Sequence, residues 1–192
     1  LPGHGKSYPV NWQPFRLMHE YAEFVWKIIE AKWPGFEEAF EQFDVGHVAH
    51  LSDDEIDDLL KDTRIVRNGQ KIIAVRDNAI FLSELQQEHG SAAKFFADWP
   101  SDDLIGLLDL MKNRGARLGG MTGCYFLRFM GKESFIFSRD VTAALISMGV
   151  VDKAPTSKVA RQKVQAAFNE WKEESGHNIT HISQVLAMSA DG

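Results

Sequence analysis

Apolar residues recur at intervals of three and four along almost the whole chain, and this regularity excludes most folds. Phe15, Met18, Ala22, Val25, Trp26 and Ile29 fall on one stripe, as an inward-facing helix requires. The spacing predicts a helix over residues 15–33, broken by Trp33-Pro34-Gly35, after which Phe36, Phe40 and Phe43 open a second short stripe. Residues 51–62 carry a helix start: Ser52 can cap, Glu55 stands three residues on, and acidic side chains fill the first turn, where the helix dipole favours them. Ile72, Ile73, Val75, Ala79, Ile80 and Leu82 mark a buried helix. Residues 91–100 and 101–115 make two more, the second with Ser101 as cap, Lys112 and Arg114 in its last turn, and Gly115 as terminator. A helix over 121–130 precedes a loop or short extended piece at 131–137, and another helix ends at Gly149. An amphipathic helix follows with Val159, Val164, Ala167, Phe168 and Trp171 inward, and residues 178–188 close the chain. Period-two strands, internal repeats and low-complexity tracts are missing. The expected fold is all-α: a helical bundle over residues 15–192 after an irregular segment at 1–14, with a hairpin at 115–123.

A chain of 192 residues can bury a sizeable core as one domain or as two small lobes. Its 44% apolar and 25% charged content excludes disorder and fibre classes. Cys124 is the only cysteine, so no internal disulfide forms, and nothing resembles a secretory signal; a reducing, cytoplasmic setting is expected. No apolar run approaches the ~20 residues a membrane span needs. Because the chain begins at Leu1 rather than Met, a processed or truncated chain is expected. A net charge of −6 argues against indiscriminate nucleic-acid binding. It leaves room for a local basic face, because attraction to phosphate acts within about 8 Å, the Debye length at physiological salt. Lys112, Arg114, Arg117, Arg128, Lys132 and Arg139 cluster in sequence well away from the acidic block at Asp53 to Asp62.

Several residues could carry chemistry, and each also has a plainer explanation. Gly3 to Ser7 end like a phosphate-binding loop but lack its first glycine and preceding strand, so an irregular terminus or cloning remnant is expected. His177 and His181, four apart, could share a helix face; two further ligands would be needed, and no metal or other cofactor is expected. Gly119 and Gly120 permit positive φ and close backbone approach just before a helix start, which is an anion-binding arrangement; they also suit a simple packed turn. Asp140 begins a helix, either to satisfy free amides or as a carboxylate at a pocket mouth. Tyr21, Trp26 and Tyr125 are either core aromatics or pocket walls near the acids Glu20 and Glu23.

Three stretches together, residues 26–44, 64–79 and 112–126, resemble the 3-methyladenine DNA glycosylase I family of the helix-hairpin-helix base-excision superfamily. The spacing from Trp26 to Gln42-Phe43-Asp44 fits the family without a gap, and the run from Arg114 to Tyr125 is close to its hairpin pattern. The resemblance implies that Gly119 and Gly120 grip a DNA phosphate beside the lesion, with Arg117, Thr122 and Arg128 adding contacts. It implies that Trp26, with Tyr21 and Tyr125, walls a base pocket, where a cationic methylated base gains ~1 kcal/mol from stacking. It also implies extrusion of the nucleotide from the duplex. The sequence departs from the family in two places. Met18 stands where the family has its pocket glutamate, eight residues before the tryptophan, and the cysteines of the family's zinc site are missing. In the wider superfamily an aspartate follows the hairpin helix, and Asp140 holds that place, with Glu20 as the alternative catalytic carboxylate. The expected partner is double-stranded DNA containing alkylated bases, engaged by a monomer. A non-catalytic module that grips damaged or structured DNA is the competing expectation.

Overall fold

The structure, a computed structural model, describes residues 26–189, and every strand-forming register is absent among them: the described chain is all-α. It divides into two compact units, residues 26–95 with Gly115–Arg117, and residues 96–114 with 118–189.

In the first unit, α1 runs over Trp26–Ala39 without interruption, with Pro34 inside it. The expected break at Trp33-Pro34-Gly35 is therefore corrected. A proline removes one helical hydrogen bond, but Pro34 faces solvent and water can serve the carbonyl it frees. Gly35 is there for contact: a Cβ on it would stand 2.6 Å from the Arg64 carbonyl oxygen. Past α1 the chain turns through Glu41–Phe43, a 3-10 turn whose residues all have left-handed backbone, with φ of 45°, 56° and 56°. Left-handed conformation costs roughly 1–2 kcal/mol per non-glycine residue. The turn brings Phe40 and Phe43 into a stack at 5.5 Å, both fully buried, and each buried ring returns roughly 1.5–3 kcal/mol. Asp44 caps α2 (Val45–Ala49), accepting from the His47 amide at 2.8 Å. The Ser52–Glu55 capping box forms as expected at the start of α3 (Asp53–Lys61). α4 spans Gly69–His89, starts from an Asn68 cap and ends at left-handed Gly90.

α2 and α3 pack on α4 around Phe36, Phe40, Phe43, Val48, Ile72, Val75 and Ala79. The inward face of α4 differs from the expected one. Ile73 and Ile80 are about 40% exposed, while Ala74, Asn78, Phe81 and Leu85 are buried. Ile73 and Ile80 lie seven residues apart and so share a side, but the buried stripe is centred on the neighbouring face.

α5 (Ala92–Asp98) carries the chain from the first unit into the second, where a 3-10 turn at Ser101–Asp103 and α6 (Leu104–Arg114) follow. Ser101 was the expected cap, but no side chain caps the turn there. Asp103 takes the role for α6, accepting from the Gly106 amide at 3.1 Å, and the Gln165 side chain accepts from Ile105 at 3.1 Å. α7 covers Met121–Phe129, α8 Arg139–Ser147, α9 Lys158–Ser175 and α10 Ile179–Ser189. α6 packs on α7 and α9, and α10 packs on α8 and α9, around Leu107, Met111, Leu127, Phe135, Leu145, Val164 and Phe168. Val159, expected inward on α9, is 66% exposed because it sits in the first turn, ahead of the contact with α6. The segment between α7 and α8 is irregular but buried. The amides of Ser134 and Ile136 donate to Thr180 Oγ1 and Ser183 Oγ, so α10 hydroxyls satisfy backbone that no strand partners. Lys132 Nζ donates to the Ala97 carbonyl at 2.9 Å and to the Trp99 carbonyl, closing the end of α5.

Candidate nucleic-acid interface

The loop from α6 to α7 is built from the inside outwards. Asn78, buried on α4, accepts from the Ala116 amide at 2.9 Å and donates to the Ala116 carbonyl at 2.9 Å and its own helix's Ala74 carbonyl at 2.8 Å. A side-chain amide thus fixes both backbone groups of one loop residue. The loop leaves this clamp through Arg117, which has left-handed backbone at φ 59°. Gly115 follows the last residue of α6, as expected of a terminator, and of Gly119 and Gly120, where positive φ was expected, only Gly120 adopts it. Leu118 is buried at 3% exposure and anchors the next step. Gly120, at φ 62° and ψ −139°, is the N-cap of α7, and no side chain caps that helix. Gly120 and Met121 are exposed, and a Cβ on Gly120 would meet nothing within 4 Å. The start of α7 thus presents uncapped amides to solvent, the arrangement that favours an anion.

The demand for close backbone approach falls on Gly123 rather than on the pair before it. A Cβ there would lie 2.6 Å from the Leu118 carbonyl oxygen and 3.1 Å from Leu108 Cδ2. Asn78 and Gly123 are the residues that sequence reasoning missed. For Asn78 a signal existed, an amide side chain within a run of otherwise apolar inward positions.

The expected site residues separate into distinct environments. Arg117 is exposed and donates from Nη1 to Gln70 Oε1 at 3.4 Å. Arg128 is half-buried, and its Nη2 donates to the Ser134 carbonyl at 2.6 Å. Its guanidinium braces the segment between α7 and α8. Tyr125 is half-buried on α7. Asp140 lies in the first turn of α8, where Ser138 is the cap, accepting from the Val141 amide at 3.1 Å. With its amide duty taken by Ser138, the Asp140 carboxylate is 42% exposed and lies 3.7 Å from Arg139. Trp26 opens α1 in the first unit. Glu20, Glu23, Tyr21 and Met18 lie outside the described residues, as does the Gly3–Ser7 stretch.

The described residues do not fit a zinc site. Burial pushes the Cys124 thiol up to about 12, so it offers no thiolate at neutral pH. The His177 and His181 rings stand 4.5 Å apart on the surface, and no group of three His, Cys, Asp or Glu is placed to hold a metal among the described residues. Two surface cavities are lined by no residue of the hairpin. One of about 520 Å³ in the first unit is rimmed by Glu38, Glu41, Glu55 and Asp58, and its negative charge disfavours phosphate. The other, about 460 Å³, lies between α6 and α9, where Asp103, Gln165 and Asn169 are spent on internal hydrogen bonds. No helix among the described residues is long and apolar enough to cross a membrane.

The described chain is an all-helical protein whose fold is that of the DNA glycosylase I type. The methyladenine glycosylase family model matches residues 11–106, half of the 192-residue chain, and the chain belongs to that family. Solved structures agree on the fold. The 3-methyladenine DNA glycosylase I of Staphylococcus aureus, in a structure addressing 3-methyladenine recognition, is 26% identical, with a TM-score of 0.55 over 65% of this chain and 78% of that one. A variant of the same enzyme is 26% identical with a TM-score of 0.54 over the same shares. A 3-methyladenine DNA glycosylase I variant with 3-methyladenine bound is 24% identical at a TM-score of 0.55, again over 65% and 78%, and bears on the fold alone. A comparison with curated proteins finds no match.

Proposed function

We propose that the protein is a monofunctional DNA glycosylase that hydrolyses the N-glycosidic bond of alkylated purines, 3-methyladenine foremost, in duplex DNA. The observation that carries this reading is the open hairpin at Gly119–Gly120, with the uncapped start of α7 behind it, in a chain of the methyladenine glycosylase family. The hairpin amides take one phosphate, and the damaged nucleotide, cheaper to unpair than a normal one, leaves the stack. The leaving base already carries positive charge, so it departs without strong acid help while positive charge grows on the sugar. Asp140 is the proposed carboxylate that stabilises this charge and orients water, with Glu20 as the alternative. Trp26 is the proposed stacking wall. Lys132, whose ammonium is held by the Ala97 and Trp99 carbonyls, is not placed to attack the sugar, which supports hydrolysis without strand cleavage.

The test is incubation with methylated duplex DNA. Wild type releases free methylated base. Asp140→Asn keeps its melting temperature and loses release by a factor of about 10²–10³, in the range of removing one electrostatic stabiliser. Full activity in that variant moves the role to Glu20. Salt-sensitive binding with no release by wild type would instead establish the binding-module alternative, which the replacement of the family's pocket glutamate by Met18 favours.

A further inference from the structure

The cations near the hairpin differ in what they already hold. Arg128 is bound to the Ser134 carbonyl, Arg117 reaches Gln70, and Arg139 lies beside Asp140. Lys112, in the last turn of α6, is exposed, and its ammonium has no hydrogen bond or ion pair among the described residues. The Thr122 hydroxyl, in the first turn of α7, likewise has no partner among them.

The stem of Lys112 is nonetheless placed. A Cβ on Gly119 would stand 3.3 Å from Lys112 Cγ, 3.7 Å from Cδ and 3.9 Å from Cβ. The methylenes therefore lie across the bare backbone of Gly119, packed as lysine stems pack on apolar surface, with the charged end free. Gly119 does not have positive φ, so its backbone does not demand a glycine. What its missing side chain provides is room for Lys112. Gly120, next along, supplies the left-handed turn and the open face. The two glycines thus have separate tasks.

We infer that Lys112 is a phosphate-contacting residue of the hairpin, held over the loop by the absent side chain of Gly119. The inference rests on the hairpin reading above and adds the residue that supplies its charge. An ammonium whose stem crosses Gly119 would give a phosphate at the α7 start a full positive charge where the helix start offers only partial ones.

A double-mutant cycle on duplex DNA affinity, measured against salt, tests it. Lys112→Met should lower the slope of log affinity against log salt by about 0.9 and weaken binding about five- to tenfold near 0.1 M salt, as loss of one phosphate contact requires. Lys112→Arg should restore the slope. Gly119→Ala, whose Cβ would crowd Lys112 Cγ at 3.3 Å and shift the stem, should weaken binding slightly in the Lys112 protein and have less effect in Lys112→Met, so the two changes are not additive. An unchanged slope in Lys112→Met, with wild type binding normally, overturns the assignment of Lys112 and leaves the hairpin reading intact. Additive effects overturn the role of Gly119. Absence of salt-dependent binding by wild type itself overturns the hairpin reading, and the inference falls with it.

Discussion

Asn78 shows how one side chain can decide the shape of a functional loop. Its amide satisfies the amide and carbonyl of the half-buried Ala116 and a buried carbonyl of its own helix, where each bond is worth more than on the open surface. Replacing it by Leu fills the volume but strands those backbone groups. Asn78→Leu should cost about 2–3 kcal/mol in urea unfolding, since an unsatisfied buried group costs roughly 1–3 kcal/mol and Ala116 retains some access to water. Arg117 would then lose what holds it in the left-handed region, and duplex affinity should fall together with stability. A loss of affinity without loss of stability would show that Asn78 does not act through the loop. Cys124 makes the complementary point. Its thiol, pushed up by burial, should resist alkylation by iodoacetamide in the native protein at pH 8 and react only on unfolding.

Helices whose ends are written in local chemistry were legible; those shaped by neighbours were not. Ser52 and Glu55 form the capping box at the predicted place, and Gly149 has the left-handed backbone that ends α8. Pro34 misled because a proline is a strong helix breaker on average, whereas here it costs only one bond on a wet face. The turn at Glu41–Phe43 was illegible because nothing in Glu-Gln-Phe favours left-handed backbone; it is imposed by the pairing of Phe40 and Phe43. At the hairpin, the glycine pair and the helix after it were readable, while the close approach at Gly123 depends on Leu118 and Leu108, which meet it only in the folded chain. The capping box also gives an acid-side prediction. Hydrogen bonds from the Ser52 amide and hydroxyl hold the Glu55 carboxyl below its usual range, and the Arg64 guanidinium does the same for Asp62. A depressed carboxylate contributes stability above its unfolded value, about 4, and loses it as pH falls through the folded one. Ser52→Ala should therefore lower the melting temperature at pH 7, by an amount fitting the ~1 kcal/mol of a lost cap, and the gap to wild type should narrow below about pH 4. A constant gap down to pH 2 would exclude the Glu55 half of the box.

Across the molecule, charge is divided rather than balanced. The chain carries −6 overall, yet α3 concentrates Asp53, Asp54, Glu55, Asp57 and Asp58, while the loop between α6 and α7 is flanked by Lys112, Arg114 and Arg117. A duplex held at the hairpin is attracted by these cations at any salt, while the net charge of −6 opposes its approach over long range only when the ionic atmosphere is thin. Screening falls off over roughly 8 Å at physiological salt and 30 Å at 0.01 M. Neutralising α3 by Asp54→Asn, Asp57→Asn and Asp58→Asn together should therefore raise the association rate with duplex DNA severalfold at ~0.01 M salt. At ~0.15 M the same variant should match wild type within about a factor of two. Lys112→Met should behave in the opposite way, with its deficit persisting at ~0.15 M because a contact pair is screened far less than the long-range field of the net charge. If the α3 variant gains equally at both salts, the acidic helix touches the nucleic acid directly, and the division of labour argued from the hairpin fails.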